Sequence, residues 1–205
     1  MPVGIYSPAT GSGYPEKPAN IMAVRLDSVE TGETSVDGDR PILEMRGITK
    51  RFPGVLALDG VDFSVRRGEI HSLIGQNGAG KSTLMNILSG VYGAAEGQIL
   101  IEGQPVLFHH PREALRQGIG TVYQELSLVP LMSVADNIFL GREAGSAVTI
   151  DERTVVAKAR EVLDRLGAQY IDVTAPVGDL PLAQQQLVEI AKVLSYEPRI
   201  LVLDE

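Results

Sequence analysis

Residues 75–82 carry the residue types and the spacing that bind a chain of phosphates. They read GQNGAGKS and fit the pattern G-x-x-x-x-G-K-[ST]. Its glycines let backbone N–H groups turn inward around phosphate oxygens. In this pattern the lysine reaches the β- and γ-phosphates, and the serine hydroxyl binds Mg²⁺. We therefore expect Lys81 and Ser82 to bind a nucleoside triphosphate and its metal ion; the alternative is a chance match in a glycine-rich loop.

A second candidate group stands at the end of the chain, where residues 200–205 read ILVLDE. An apolar run followed by acids is typical of a buried parallel strand that delivers carboxylates to its C-terminal end. In a P-loop enzyme the first acid holds Mg²⁺. The second is placed to orient or deprotonate the attacking water. We expect Asp204 to bind the metal and Glu205 to act as the base; the alternative is an ordinary strand with solvated acids.

The segments that flank the glycine-rich loop are typical of a strand and a helix. Residues 69–74 predict a short buried strand, and residues 83–89 predict a helix with Gly90 as its C-cap. A helix that begins at the loop adds the partial positive charge of its N-terminus to the phosphate site.

The rest of the chain predicts an α/β fold with its nucleotide at the C-terminal ends of parallel strands. A small antiparallel β subdomain comes first, then the P-loop strand and helix, a mainly helical insertion and the acid-bearing strand. Predicted strands cover 42–48, 61–65, 97–103 and 119–123, and predicted helices cover 111–117, 151–166 and 183–194.

Composition excludes several classes of protein. The chain has 205 residues and a net charge of −8, which argues against a nucleic-acid surface. It has no cysteine, so disulfides and thiolate metal sites are excluded. No apolar run approaches the ~20 residues that span a bilayer. His71, His109 and His110 lack ligand spacing, so we expect no zinc site.

Residues 1–40 differ from the rest because they are rich in Gly, Pro, Ser, Thr and acids. Such a segment buries too little apolar surface to offset its ordering entropy, so we expect a disordered tail followed by one domain over 41–205. A regulatory arm, or a start codon placed too early with Met22 or Met45 as the true start, are the alternatives.

Together these features resemble the ATP-binding subunit of an ABC transporter over residues 42–205. The phosphate loop matches that family, and Gln124 in TVYQE matches its Q-loop glutamine, which contacts Mg²⁺ and relays its state to the membrane subunit. Phe52 stands where the family places an aromatic ring against adenine. Core packing is the alternative for Phe52, and a polar loop position is the alternative for Gln124.

The resemblance is strongest to importers of ribose, galactose and xylose, in residues 50–61 and 178–192. The general signature Leu-Ser-Gly-Gly-Gln reads here LPLAQ at 180–184. Pro181 has no hydroxyl and no N–H donor, and Leu182 adds bulk, so this half-site should clamp a partner domain's ATP poorly. After Asp-Glu the family continues with a further strand and a switch histidine, so we expect an incomplete domain with residues 201–205 at an exposed sheet edge.

The resemblance implies ATP and Mg²⁺ as cofactors and a cytoplasmic ATP hydrolase on the inner face of the cell membrane. Implied partners are a membrane-spanning permease, a second ATP-binding domain and, indirectly, an extracellular or periplasmic sugar-binding protein, with no nucleic acid. The alternatives are a nucleotide-binding fragment without turnover and a soluble ATPase acting on nucleic acid. The candidate nucleotide-binding residues are Phe52, Gly75, Gln76, Asn77, Gly78, Ala79, Gly80, Lys81, Ser82 and Thr83; the candidate metal-binding residues are Ser82, Gln124 and Asp204; and the candidate catalytic residues are Lys81, Gln124 and Glu205.

Overall fold

The computed structural model describes residues 19–24, 40–93, 96–142, 145–146, 149–150 and 152–204. The chain divides into two compact units. Unit 1 is Met1–Thr121 together with Pro198–Glu205, and unit 2 is Val122–Glu197. Unit 1 carries the glycine-rich loop and the acid-bearing strand, and unit 2 carries Gln124 and the LPLAQ segment.

The described residues of unit 1 form two sheets and two helices. Its strands are β1 (Ala19–Val24), β2 (Pro41–Phe52), β3 (Val55–Arg66), β4 (His71–Gly75), β5 (Glu96–Ile101), β6 (Gln104–Val106), β7 (Ile119–Val122) and β10 (Ile200–Asp204), and its helices are α1 (Lys81–Leu88) and α2 (Pro111–Arg116). The final residue of β7 falls across the boundary with unit 2.

The first sheet, in the order β3-β2-β5-β6, is the antiparallel subdomain expected from the sequence. Its strands β2 and β3 are twelve residues each, longer than the predicted segments, and they meet at the turn after Phe52. Apolar side chains of β2 and β3 share one core with the apolar face of α1. This core includes Met45, Phe63, Leu84 and Leu88.

The second sheet has the order β4-β1-β10-β7. Strand β1 is antiparallel to both β4 and β10, so β4 and β10 run parallel to each other. This agrees with the predicted parallel arrangement of the loop strand and the acid-bearing strand. The prediction of a buried strand at 69–74 was wrong in part, because Ile70 and Ile74 are exposed and β4 lies at the sheet edge.

Two further expectations differ from the structure. The acid-bearing strand β10 does not lie at an exposed edge, because β1 and β7 flank it on its two sides. Within the predicted tail of residues 1–40, Ala19–Val24 form β1. The backbone of β1 pairs with β4 on one side and with β10 on the other. The rest of the segment before Arg40 lies outside the described residues.

Unit 2 is mainly helical, as predicted for the insertion. It contains α3 (Val134–Ile138), a hairpin of β8 (Gly145–Ser146) and β9 (Thr149–Ile150), α4 (Glu152–Arg165), a 3₁₀ turn (Val177–Asp179) and α5 (Leu182–Leu194). Helix α4 buries the stripe predicted for it, including Val155, Ala159, Val162 and Leu163. Its predicted cap, Asp151, lies outside the described residues.

Helix α3 was missed by sequence reasoning because it has only five residues. Its start is nevertheless marked by a local signal. The Ser133 hydroxyl accepts from the Asp136 amide at 3.0 Å and donates to the Asp136 carboxylate at 2.6 Å. The first of these two contacts is the hydrogen bond of a helix N-cap. None of the helices within the described ranges is long and apolar enough to cross a membrane.

Candidate nucleotide-binding site

The glycine-rich loop joins the end of β4 to the start of α1. Gly78 and Gly80 have φ angles of 85° and 87°, which L side chains rarely adopt. A Cβ on Gly80 would lie 2.6 Å from the Ala57 carbonyl oxygen and 2.7 Å from Leu58 Cδ2. Glycine at position 80 is therefore required twice, by the backbone turn and by the close approach of β3.

Lys81 folds back over the loop that precedes it. Its Nζ donates to the carbonyl oxygens of Gly75 at 2.6 Å and Gln76 at 2.7 Å. An ammonium group has three N–H donors, so the third would donate to a phosphate oxygen. Lys81 thus stabilises the loop turn and also holds a positive charge beside it.

The N-terminus of α1 has the donor set that phosphate requires. Residues 76–79 are exposed, the Ala79 amide donates to the Gln76 carbonyl at 3.1 Å, Ser82 is exposed at the first turn and Thr83 is half-buried. Gly80 is the N-cap and supplies no side-chain cap, and the first turn contains no acid that would compete with a bound anion. Backbone N–H groups, one ammonium and a hydroxyl at a helix N-terminus fit a Mg²⁺-bound triphosphate.

Asp204 is the last residue of β10, at the same end of the sheet as the glycine-rich loop that follows β4. Ile21 of β1 pairs with Asp204 on one side and with Leu73 on the other, so these three positions form one row across the sheet. Neighbouring strands are about 4.8 Å apart, which puts the Asp204 and Leu73 Cα atoms at about 10 Å. Gly75, where the loop begins, lies two residues beyond Leu73 along β4. Glu205 lies outside the described residues.

Phe52, the predicted adenine contact, is the last residue of β2 and is half-buried. Its ring meets the ring of Tyr92 edge to face, with centroids 5.3 Å apart and planes at 73°. Lys50 Nζ lies 5.6 Å from both ring centroids. Sequence reasoning missed Tyr92 and Lys50, because Tyr92 reaches Phe52 only through the fold.

In unit 2, the segment that follows Gln124 is bound to α5 through a buried carboxylate. Glu189 is 5% exposed, and its two oxygens accept from the Ser127 amide at 3.1 Å and the Ser127 hydroxyl at 2.6 Å. Lys192 donates to the Ser127 carbonyl at 3.1 Å and to its hydroxyl at 2.8 Å. Gln124 itself is exposed, and its predicted contact with Mg²⁺ stays a prediction.

The LPLAQ segment forms the N-terminus of α5. Pro181 is the N-cap, with extended backbone and no side-chain cap, and Leu182 is 64% exposed. The Pro181 carbonyl accepts from the Gln184 amide at 2.8 Å and the Gln185 amide at 3.1 Å. Helix α5 therefore begins without the hydroxyl that the general signature supplies.

A family model described as ABC transporter matches residues 58–205. The chain belongs to the ABC transporter family. The fold class predicted from the sequence, an ABC-type ATPase core with an antiparallel subdomain and a helical insertion, is thereby confirmed.

Curated relatives of this ABC transporter chain include the ribose import ATP-binding protein RbsA 1 of Rubrobacter xylanophilus. It is 54% identical over 166 residues, which cover 81% of this chain and 33% of the relative. A putative ribose/galactose/methyl galactoside import ATP-binding protein of Burkholderia ambifaria is 49% identical and is covered to 32%. The chain therefore spans about a third of the length of the curated relatives it matches. The predicted resemblance to this group of importers is confirmed.

Solved structures give the same picture of the fold. An ATP-binding cassette of an ABC transporter in its ADP conformation matches with a TM-score of 0.65 and 30% identity, over 78% of this chain and 66% of that one. A nucleotide-free cassette matches with a TM-score of 0.63 and 30% identity, over the same shares.

Among the described residues, three acids have lowered pKa values. Burial raises the pKa of Glu69, but hydrogen bonds from the Arg66 amide and the His71 ring outweigh it and lower the net value. Hydrogen bonds from the His109 amide and the Thr174 amide lower the pKa of Glu113 and Asp172 respectively. Among the described residues, no group of three or more His, Asp or Glu side chains is placed to hold a metal ion.

Proposed function

We propose that this chain binds ATP with Mg²⁺ at the glycine-rich loop and hydrolyses it. The observation that carries the proposal is the loop geometry. The exposed residues 76–79 lead into α1, and the Lys81 ammonium is held 2.6 Å and 2.7 Å from the carbonyl oxygens of Gly75 and Gln76. Such an arrangement favours the negatively charged triphosphate of a nucleotide over neutral ligands.

Each predicted residue has a role in this proposal. Lys81 would bind the β- and γ-phosphates, and Ser82 and Asp204 would hold Mg²⁺, which neutralises charge on the phosphates. Gln124 would contact the metal and sense its state. Glu205 would orient or deprotonate the attacking water. Phe52 would stack on the adenine, and the remaining loop residues would line the phosphates: Gly75, Gln76, Asn77, Gly78, Ala79, Gly80 and Thr83.

We propose further that hydrolysis drives import of a sugar. The names of the relatives, ribose import and ribose/galactose/methyl galactoside import proteins, support this substrate class. The chain would act on the inner face of the membrane with a permease, a second ATP-binding domain and, indirectly, a sugar-binding protein. ATP binding would close two ATP-binding domains, and hydrolysis would reopen them.

Isothermal titration with Mg·ATP tests the binding step. Hydrogen bonds to charged groups contribute about 1.5–3 kcal/mol. Lys81→Ala should therefore raise Kd about 10- to 150-fold. Lys158→Ala, which removes an exposed lysine of α4, is the matched control and should bind as the wild type does. Equal binding by Lys81→Ala would contradict the loop assignment.

A nucleotide-binding chain without turnover is the second candidate, and Pro181 at the start of α5 favours it. Phosphate release from Mg·ATP separates the two. Turnover above background that is lost in Glu205→Gln supports hydrolysis. Binding without turnover in both proteins supports the second candidate.

A further inference from the structure

A cluster of two rings and one cation lies at the end of β2. The Phe52 and Tyr92 rings meet at 5.3 Å and 73°, an edge-to-face arrangement. Lys50 Nζ lies 5.6 Å from each centroid and 3.5 Å from the Gly93 carbonyl oxygen. A cation within about 6 Å of a ring is attracted by its quadrupole, so Lys50 holds both rings at once.

The fold ties this cluster to the glycine-rich loop. Lys50 pairs with Leu58 across the β2–β3 hairpin, and the Leu58 side chain packs 2.7 Å from where a Cβ of Gly80 would stand. Tyr92 follows α1, and its amide donates to the Asn86 carbonyl of that helix at 3.1 Å. Tyr92 therefore follows the helix that the loop leads into, and Phe52 lies in the hairpin whose second strand contacts Gly80.

An aromatic side chain that stacks on a purine must present one open face in a fixed orientation. The χ2 torsion of a phenylalanine is broad, so a half-buried ring needs neighbours to define its plane. The Tyr92 ring meets Phe52 at 73°, so an edge of one ring contacts a face of the other and limits rotation of the Phe52 plane. Edge-to-face contact is also a favoured geometry for an aromatic pair.

We propose that Tyr92 is a positioning residue of the nucleotide site: it fixes the plane of Phe52 so that this ring accepts the adenine base, and Lys50 holds the pair. The inference rests on the proposed function, because it needs a nucleotide at the loop. Tyr92 acts through Phe52, so its removal should affect binding of the base and leave binding of the phosphates unchanged.

Titration with two probes, Mg·ATP and inorganic tripolyphosphate with Mg²⁺, tests whether Tyr92 affects binding of the base and not of the phosphates. Tyr92→Ala should weaken ATP binding about three- to tenfold. Phe52→Ala should weaken it about tenfold or more. Neither variant should change the Kd for tripolyphosphate, whereas Lys81→Ala should raise both values. Tyr92→Phe keeps the ring and should bind ATP as the wild type does.

The double variant distinguishes a positioning role from independent contacts. In the Phe52→Ala background, Tyr92→Ala should cause no further loss, because the residue it positions is absent. Tyr170→Ala, which removes a 66% exposed tyrosine of unit 2, is the matched control and should be neutral.

Three outcomes overturn the inference: equal ATP binding by Tyr92→Ala, a parallel loss of tripolyphosphate binding in that variant, or additive losses in the double variant. A parallel loss would mean that Tyr92 only supports the fold, and melting temperatures of the variants would show the same change. Failure of the wild type to bind either probe would overturn the proposed function itself, whereas normal wild-type binding with an unaffected Tyr92→Ala overturns this inference alone.

Discussion

The N-termini of α1 and α5 differ although both begin a helix in a segment expected to meet nucleotide phosphates. Helix α1 follows Gly80, which has a left-handed φ of 87°. The Lys81 side chain that begins this helix donates back to the Gly75 carbonyl at the start of the loop. Helix α5 follows Pro181, whose backbone is extended and whose ring carries no N–H. Neither N-cap residue supplies a side-chain cap.

This difference teaches that a helix dipole alone does not make an anion site. Both helices offer the partial charge of their first N–H groups. Only α1 adds a glycine loop that turns further N–H groups inward and an ammonium that adds a full charge. A third helix, α2, shows another solution, because its own Glu113 accepts from the His109 amide at 2.7 Å and so supplies the anion internally.

The largest expected effect is at Gly80, where a substitution would distort the loop that distinguishes α1 from α5. Gly80→Ala puts a Cβ 2.6 Å from the Ala57 carbonyl at a φ that strains any L residue. Backbone strain of this kind costs about 1–3 kcal/mol, and the contact adds to it. We expect a lower free energy of unfolding by urea denaturation and weaker Mg·ATP binding by titration.

Gly93→Ala is the control for this change, since a Cβ there meets nothing within 4 Å. It should keep both stability and affinity. Wild-type affinity in Gly80→Ala would mean that the close approach of β3 is not needed for the loop.

Helix α5 is held to the segment after Gln124 by Glu189, in the second half of the helix, which accepts from Ser127. Glu189→Ala would leave the Ser127 amide and hydroxyl without their acceptor and should cost about 1–3 kcal/mol of unfolding free energy. Glu189→Gln keeps an oxygen acceptor and should lose less. Hydrogen exchange should show a faster Ser127 amide in Glu189→Ala. An unchanged exchange rate would contradict the anchor.

A side-chain cap introduced at Pro181 tests whether a hydroxyl at the start of α5 lets this helix contribute to nucleotide binding by the chain. Pro181→Ser supplies an N-cap hydroxyl worth about 0.5–2 kcal/mol. It also removes a proline that restricts the unfolded chain by about 0.4–1 kcal/mol. The melting temperature should therefore change little, and the affinity of this chain for Mg·ATP should not change. A marked rise in affinity would show that α5 contributes to the chain's own nucleotide site.

The smallest expected effect concerns the internal anion of α2. The pKa of Glu113 is lowered from its ordinary value of 4.5, chiefly by the His109 amide. Its stabilising contribution is thus present above that ordinary value and is lost as the pH falls through the lowered one. Glu113→Gln should reduce the difference in melting temperature between neutral and acidic solution.

A matched variant at Glu161, an exposed acid of α4, should leave this pH difference as it is in the wild type. NMR titration of the Glu113 carboxyl gives an independent check. A value at or above 4.5 would contradict the hydrogen bond from His109.

The glycine-rich loop is the part of the candidate site that can be predicted from one contiguous segment. The loop at 75–83 could be predicted because its glycines, lysine and serine act through spacing along the chain, and the flanking strand and helix follow from apolar periodicity. Tyr92 and Glu189 could not, because each acts through a partner brought close only by the fold; Glu189 and Ser127 are separated by 62 positions. Strand β1 was missed because its pairing depends on two distant strands and not on its own alternation.

Where unit 1 is interrupted, its two chain ends meet. The amides of Arg199 and Ile200 both donate to the Gly118 carbonyl, at 2.8 Å and 3.0 Å, and the Arg199 side chain donates to the Gln117 carbonyl at 2.9 Å. The departure and return points of unit 2 are therefore neighbours inside unit 1. In engineering terms, residues 122–197 leave and re-enter unit 1 at neighbouring points, so a short linker, or the matching segment of a relative, could replace them without stretching the sheet that holds the phosphate loop.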